Sequence, residues 1–186
     1  MYGMVNRALE DMVTEQFGED TWERIKAAAG VDVEVFITNE GYPDELTYRL
    51  AAAASTLLGQ PVPVLLEAFG MHWVLKTARE GYGDLMDAHG STLPEFLLNL
   101  PNFHTRVSLI FPYLEPPRFA CSDVSAQSLR LHYYSHRAGL TPFVRGLLQG
   151  LGQMFATPIT IEQEADRATG ADHDIFHVSW IPPATA

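Results

Sequence analysis

The chain has 186 residues, of which 47% are apolar and 19% charged, so it is long enough to fold as one domain with a sizeable core. The 12 Lys and Arg residues against 23 Asp and Glu give a formal net charge of −11, which argues against a nucleic-acid partner. A single Cys fits a reducing compartment, and the sequence shows neither a signal peptide nor an apolar stretch of about 20 residues, so we expect a cytoplasmic protein without a membrane partner.

The first half of the sequence predicts helices. Apolar residues recur at helical spacing in five segments, and glycines follow three of them as stop signals. These segments are 5–17, 20–29, 44–57, 61–75 and a short one around Leu85. Asp20 and Thr21 are the expected N-cap of the second segment, and the stretch Gly81-Tyr82-Gly83 is expected to separate the last two.

A longer apolar helix follows. Thr92 and Glu95 have the spacing of a capping box, and the apolar pattern then continues to Phe111. Pro101 lies inside this pattern and predicts a kink, because proline removes one backbone donor. The expected kink lies three residues before His104.

The second half of the sequence changes to the period of β-strands. Strands are predicted at 118–122, 129–134, 159–164 and 173–180, with one helix at 141–155 inserted between the second and third. The expected fold class is therefore α+β: an N-terminal all-helical subdomain, a long helix, and a four-stranded antiparallel sheet with one inserted helix.

His104 is the first candidate functional residue, because it lies on the most apolar helix of the chain. A lone histidine there is most often a core residue whose ring nitrogens bind backbone groups. A neutral imidazole in an apolar wall is also what a haem iron needs as its axial ligand. The residues around His104 leave both interpretations open.

A second candidate is the run that contains Tyr133, Ser135 and Arg137. At the period of a strand these three side chains share one face, and two hydroxyls with a guanidinium suit a carboxylate or phosphate. A solvated edge strand is the alternative interpretation. Pro117, just before the first strand, is either part of a turn or a rigid ring against a planar ligand.

Other reactive side chains do not form a recognisable motif. Cys121 has no cationic neighbour in the sequence and is best interpreted as a small buried residue. The strand histidines His132, His136, His173 and His177 match no spacing known for zinc ligands. Since no nucleophile–base motif occurs either, we do not expect an enzyme.

Together, His104, Pro117 and the Tyr133-x-Ser135-x-Arg137 triad resemble the H-NOX family, the haem nitric oxide/oxygen binding domains. The start of the chain, Met1-Tyr2-Gly3-x-Val5-Asn6, is similar to the β subunit of soluble guanylate cyclase, and the segment 172–176 is similar to stand-alone bacterial members. Further matching segments are 18–23, 80–83 and 93–97.

The resemblance implies a single haem-binding domain over residues 1–181, with a distal helical subdomain at 1–60, a haem-cradling α/β subdomain at 61–181 and a frayed tail at 182–186. It implies haem b as cofactor, with His104 as the proximal iron ligand. Tyr133, Ser135 and Arg137 match the triad that binds the haem propionates. Pro117 matches the proline that packs on the porphyrin, and Val5 and Leu147 match aliphatic residues of the pocket.

The distal side of the implied haem site bears on the choice of gas. Phe143 stands where O₂-binding relatives have a tyrosine, and it offers no hydrogen-bond donor to a bound O₂. Trp73 matches a distal aromatic residue whose indole N–H is a nearby donor, and Tyr2 has no assigned place. We therefore expect a ferrous haem that binds NO and CO and excludes O₂.

The resemblance also implies a sensor. Binding of NO is expected to release His104 and to relax the haem, and the output is expected on another chain, because 186 residues hold no kinase or cyclase domain. The expected partner is a histidine kinase or a cyclic-di-GMP enzyme. Two alternatives stay open: an O₂ sensor or carrier, and a haem-free module that binds an apolar ligand with a carboxylate at Arg137.

Overall fold

The computed structural model describes residues 1–111 and 115–181. The helices in this part of the chain are α1 (Gly3–Phe17), α2 (Glu19–Ala29), α3 (Asp44–Leu58), α4 (Val62–His72), α5 (Arg79–Asp87), α6 (Leu93–Ile110) and α7 (Thr141–Met154). A π-helical segment (Trp73–Ala78) joins α4 to α5, and a short 3₁₀ turn (Arg167–Thr169) follows the third strand. The strands are β1 (Arg118–Ser122), β2 (Ser128–Tyr134), β3 (Ile159–Ala165) and β4 (Asp174–Trp180).

The α+β class and its element order are confirmed. The four strands form one antiparallel sheet in the order β1-β2-β4-β3, and α7 is inserted between β2 and β3 in the chain. In the sheet register Leu131 pairs with Cys121 on one side and with Phe176 on the other. β2 is thus an inner strand, and the edge-strand interpretation of residues 133–137 is wrong.

One local prediction is confirmed and one needs correction. The expected break at Gly81-Tyr82-Gly83 is present as a kink within α5, where Tyr82 leaves helical dihedrals with φ −142° and ψ 25°. Asp20 and Thr21 are not the N-cap of the second helix, which begins at Glu19 with Gly18 at the N-cap position. The hydroxyl of Thr21 donates to the carbonyl oxygen of Phe17 instead of capping the helix.

Two groups of buried apolar side chains form the core. One lies among the N-terminal helices and includes Ile25, Phe36 and Leu50. The other lies between the inner face of the sheet and helices α6 and α7, and includes Leu97 and Leu131. Residues 182–186, the expected frayed tail, lie outside the described residues.

Helices α4 and α7 cross in close contact through glycines. A Cβ atom added to Gly146 would overlap the carbonyl oxygen of Glu67, and one added to Gly70 would overlap the carbonyl oxygen of Phe143. Only glycine lets the two backbones approach this closely. The crossing fixes the position of Phe143 and Leu147, which lie on the same stretch of α7.

Helix α6 begins as the capping box predicts and continues through Pro101. The backbone N–H of Glu95 donates to the Oγ1 of Thr92 at 3.4 Å, while the Glu95 carboxylate accepts from the backbone N–H of Ser91 at 2.9 Å. Pro101 leaves the carbonyl of Leu97 without its usual helical donor. The Sγ of Cys121, on β1, lies 3.5 Å from that carbonyl oxygen and donates to it.

Among residues 1–111 and 115–181, no single helix is long and apolar enough to cross a membrane. Two successive helical segments are long and apolar enough only when they are taken together, and the chain bends by 111° between them: Asp44–Leu58 and Val62–Asp87.

Candidate functional site

A cavity of about 830 Å³ lies between the N-terminal helices, α6, α7 and the inner face of the sheet. Its walls are mostly aliphatic and aromatic, and its polar residues include Ser135 and Arg137. All nine residues selected from the sequence line this cavity: Val5, Trp73, His104, Pro117, Tyr133, Ser135, Arg137, Phe143 and Leu147. The structure therefore brings together side chains from α1, the π-helical segment, α6, α7 and the region around β1 and β2.

His104 has the geometry of a metal-binding imidazole. Its Nδ1 lies 3.0 Å from the carbonyl oxygen of Leu100, one turn earlier on α6. This hydrogen bond places the proton on Nδ1 and leaves the lone pair on Nε2. Burial lowers the pKa of the ring, so it is neutral at pH 7. The ring also packs against Phe103 and Phe119, with centroids 5.6 Å and 5.1 Å away.

The predicted anion-binding triad of Tyr133, Ser135 and Arg137 lies at the end of β2, although not on one strand face as predicted. β2 ends at Tyr134, so Ser135 and Arg137 lie in the bend that follows. In this bend the Oγ of Ser135 accepts from the backbone N–H of Arg137 at 3.1 Å. A local turn of this kind, which a strand pattern does not reveal, is what directs both side chains toward the same cavity as Tyr133. Burial raises the pKa of the Tyr133 phenol, so the group is a hydrogen-bond donor at neutral pH.

Arg137 is held by partners that the sequence does not reveal. Its Nε donates to a carboxylate oxygen of Asp44 at 2.7 Å, and its Nη1 donates to the carbonyl oxygen of Glu115 at 3.0 Å. Asp44, the first residue of α3, also pairs with the α-ammonium group of Met1. Burial tends to raise the pKa of Asp44, but the hydrogen bonds from Met1 and Arg137 outweigh it and hold the pKa below its usual value.

The wall formed by α4, the π-helical segment and α7 carries a cluster of aromatic rings. Phe143 lies 5.3 Å from Phe69 and 6.4 Å from Trp73, measured between ring centroids. π-Helical segments are rare and occur often at functional sites, and this one begins at Trp73. Tyr2 also lines the cavity, with its ring edge-on to Phe111 at 5.5 Å.

Cys121 lies outside this cavity lining. It packs half-buried against the core below the sheet, and burial raises the pKa of its thiol, so the group is protonated at neutral pH. Its hydrogen bond to Leu97 supports the interpretation as a structural residue.

These residues fit a haem group. An apolar cavity of this size suits a large flat ligand, Arg137 with two hydroxyl groups suits its carboxylates, and a neutral His104 suits its iron. The roles of the individual residues stay predictions.

Comparisons with known proteins agree with this chemistry. A family model described as Haem-NO-binding matches residues 2–163. "Soluble guanylate cyclase gcy-31" of Caenorhabditis elegans is 31% identical over 163 residues, which cover 87% of this chain and 23% of that protein. "Soluble guanylate cyclase gcy-35" of the same organism is 28% identical over 198 residues, covering 100% of this chain and 28% of that protein. The chain thus spans about a quarter of the length of these cyclases.

Solved structures show the same fold. The H-NOX protein from S. oneidensis in its Fe(II)NO ligation state superposes with a TM-score of 0.89 at 22% identity, covering 98% of this chain and 100% of that one. The Fe(II) unliganded H-NOX protein from K. algicida superposes with a TM-score of 0.87 at 22% identity over the full length of both chains. The cavity, the family model and the fold lead to one assignment: this chain belongs to the Haem-NO-binding family, the H-NOX domains.

Proposed function

We propose that this chain is a gas sensor that holds haem b through His104, binds NO and CO at the ferrous iron, and excludes O₂. The H-NOX family consists of haem-binding gas-sensor domains that are not themselves catalytic. One observation carries the proposal. His104, with its lone pair on Nε2, lines the same cavity as the triad of Tyr133, Ser135 and Arg137.

Each residue of the cavity has a role in this proposal. His104 ligates the iron on the proximal side, and Tyr133, Ser135 and Arg137 donate to the propionates. Pro117, which lines the same cavity, would pack on the porphyrin. When bound, haem supplies an iron atom with one open position for a diatomic gas.

The distal residues favour NO and CO. Val5 and Leu147 supply aliphatic contacts, and Phe143 adds an aromatic surface without a donor. A bound O₂ carries partial negative charge and needs a donor, whereas NO and CO bind ferrous iron without one. Trp73 packs against Phe69 and Phe143, so its ring is held among apolar neighbours. The S. oneidensis relatives were solved with NO and with CO, which supports the same ligands here.

The signalling step would begin at His104. Release of His104 from the iron on NO binding would let α6 shift against β1, with which it is in contact. The changed surface is recognised by a cytoplasmic partner, which we propose to be a histidine kinase or a cyclic-di-GMP enzyme. The acidic charge of −11 suits a basic patch on such a partner.

The absorption spectrum of the reduced protein, alone, with NO and in air, tests the gas assignment. We expect a five-coordinate ferrous haem that changes to a five-coordinate nitrosyl haem without a histidine ligand, and no oxy spectrum in air. A stable oxy spectrum would instead support an O₂ sensor or carrier. A protein that stays colourless after haem is added would support the haem-free module for an apolar carboxylate.

A further inference from the structure

The outer face of the sheet carries a chain of hydrogen bonds that the haem site does not use. His132 lies on β2, and His173 directly precedes β4. The Nδ1 of His132 lies 2.8 Å from the Nε2 of His173. The Nε2 of His132 lies 2.8 Å from the Oγ of Ser122, and the Nδ1 of His173 lies 3.1 Å from a carboxylate oxygen of Asp172.

This arrangement leaves two ring nitrogens facing each other. On each ring the outer nitrogen contacts an oxygen, from Ser122 on one side and Asp172 on the other. Histidines that bind metals have this pattern, since the second nitrogen is held by a carboxylate or another oxygen that fixes the ring and its tautomer. The inner pair shares one proton in the hydrogen bond, so a metal ion that binds both nitrogens must displace that proton.

The inner nitrogens are close enough to be neighbouring ligands of one ion. With metal–nitrogen bonds of about 2.0 Å, two neighbouring ligands of a square-planar or tetragonal ion stand about 2.8 Å apart, and two ligands of a tetrahedral ion about 3.3 Å apart. The observed 2.8 Å between His132 and His173 is the length of their hydrogen bond, and it leaves the two nitrogens as close as neighbouring ligands of a tetragonal ion. A tetragonal site with nitrogen and oxygen ligands is typical of Cu²⁺. To bind one ion, each ring turns its lone pair by about 45° from the line that joins the two nitrogens.

Neighbouring side chains pack against the two rings. Tyr134 stacks on His173 with centroids 4.0 Å apart, and the guanidinium carbon of Arg118 lies 3.5 Å from the centre of the Tyr134 ring. The side chain of His173 is only 16% exposed, whereas that of Asp172 is 90% exposed, so the pair is partly buried yet close to solvent.

The nearby charges do not exclude a cation. Arg118 and Arg130 are the cations of this face, and Arg130 is paired with both Asp123 and Glu164. Asp172 adds a carboxylate on the open side of His173.

We propose that His132 and His173 bind one Cu²⁺ ion on the outer face of the sheet, with water in the remaining positions. Among residues 1–111 and 115–181, no group of three or more His, Cys, Asp or Glu side chains is placed to hold a metal, so the chain supplies these two ligands. The site is independent of the proposed haem function, because Ser122, His132, Asp172 and His173 do not line the haem cavity.

Titration of CuCl₂ into the ferric, haem-loaded protein, without any affinity tag, tests this proposal. We expect one tightly bound equivalent of Cu²⁺ whose electron paramagnetic resonance spectrum shows two imidazole nitrogens. His132→Gln and His173→Gln should each weaken the affinity more than about tenfold, and Asp172→Asn about tenfold by loosening the His173 ring. His177→Gln, on the same face of β4, is the matched control and should bind as the unchanged protein does.

The haem spectrum and the melting temperature of each variant report whether it still folds. If a histidine variant does not fold, the number of imidazole nitrogens that bind Cu²⁺ in the unchanged protein still tests the proposal. The proposal is overturned if the unchanged protein binds no stoichiometric Cu²⁺, if its spectrum lacks two imidazole nitrogens, or if His177→Gln alone loses the ion.

Discussion

The thiol of Cys121 donates to the carbonyl oxygen of Leu97, the helical acceptor that Pro101 leaves without a backbone N–H. A strand residue thereby completes the hydrogen bonding of the helix that carries His104. The two residues lie 24 positions apart in the chain. This contact explains why a proline is tolerated one turn before the proposed iron ligand.

Cys121→Ala should lower the free energy of unfolding by about 1 kcal/mol or more, because a buried carbonyl loses its donor. The same change in a Pro101→Ala background should cost about 1 kcal/mol less, since the restored backbone N–H of residue 101 reaches Leu97. Denaturant unfolding of the four proteins in this double-mutant cycle provides the measurement. Equal costs in both backgrounds would contradict the proposed link, and Cys121→Ser, which keeps a donor, is the control.

His104→Gly should remove the protein ligand from the haem iron. The reduced spectrum should change, and free imidazole should restore it by filling the space of the missing ring. Absorption spectroscopy with and without imidazole measures both effects. His89→Gly is a useful comparison, because His89 also bonds a backbone carbonyl one turn earlier but does not line the cavity. A spectrum that is unchanged in His104→Gly would rule out the proximal assignment.

Phe143→Tyr should introduce O₂ binding. The new hydroxyl would lie beside Trp73 in the aromatic wall, and one hydrogen bond of about 1.4 kcal/mol corresponds to a tenfold gain in O₂ affinity. Spectra of the ferrous variant in air provide the measurement. Phe143→Leu is the control, because it changes the side-chain volume without adding a donor, and it should not bind O₂. An oxy spectrum in both variants would show that a donor at position 143 is not the cause of O₂ binding.

Asp44→Asn should destabilise the protein at neutral pH by no more than about 1 kcal/mol, since the Asp44 side chain is 28% exposed and solvent screens its pairing with Arg137. The folded pKa of Asp44 is lowered, so its ionised form contributes stability above the unfolded pKa of about 3.9. That contribution is lost as the pH falls through the lower folded pKa. The stability difference between Asp44→Asn and the unchanged protein should therefore narrow at acidic pH.

Unfolding midpoints between neutral and acidic pH measure this difference. Glu45→Gln, at the neighbouring exposed position, is the control and should show a smaller effect. A difference that stays constant over the whole range would mean that the charge of Asp44 does not contribute.

Gly146→Ala should cost about 1–3 kcal/mol, because the new Cβ would overlap the carbonyl oxygen of Glu67 and push α7 away from α4. The shift would also displace Phe143, which lies one turn earlier. Thermal unfolding measures the loss, and the vibrational frequency of bound CO reports the change in the distal wall. Gly81→Ala is the control, since its Cβ would meet no atom within 4 Å; equal melting temperatures for the two variants would contradict the steric argument.

Local sequence patterns are enough to predict much of the fold. The apolar periods of α1, α3 and α7 and the alternation in β2 depend on neighbouring residues, so the α+β class could be predicted without long-range information. Five of the nine cavity residues are candidates by their own chemistry: His104, Pro117, Tyr133, Ser135 and Arg137. The other four follow from the resemblance, and all nine line one cavity.

The partners of those residues were not predictable in the same way. Asp44 was interpreted only as the start of a helix, yet its carboxylate meets Arg137 across 93 positions of chain. The bend that turns Ser135 and Arg137 toward the cavity depends on a hydrogen bond between Ser135 and the backbone of Arg137, which a strand period hides.

β2 places Tyr133 toward the haem cavity and His132 and Tyr134 toward the outer face. Because successive residues of a strand point to opposite faces, inserting or deleting one residue before Tyr133 would exchange the two faces together. Substitutions, by contrast, can change one face and leave the other intact. Outward-facing residues of β2 can therefore be substituted one at a time. The length of the strand, by contrast, is constrained because Tyr133 must face the cavity.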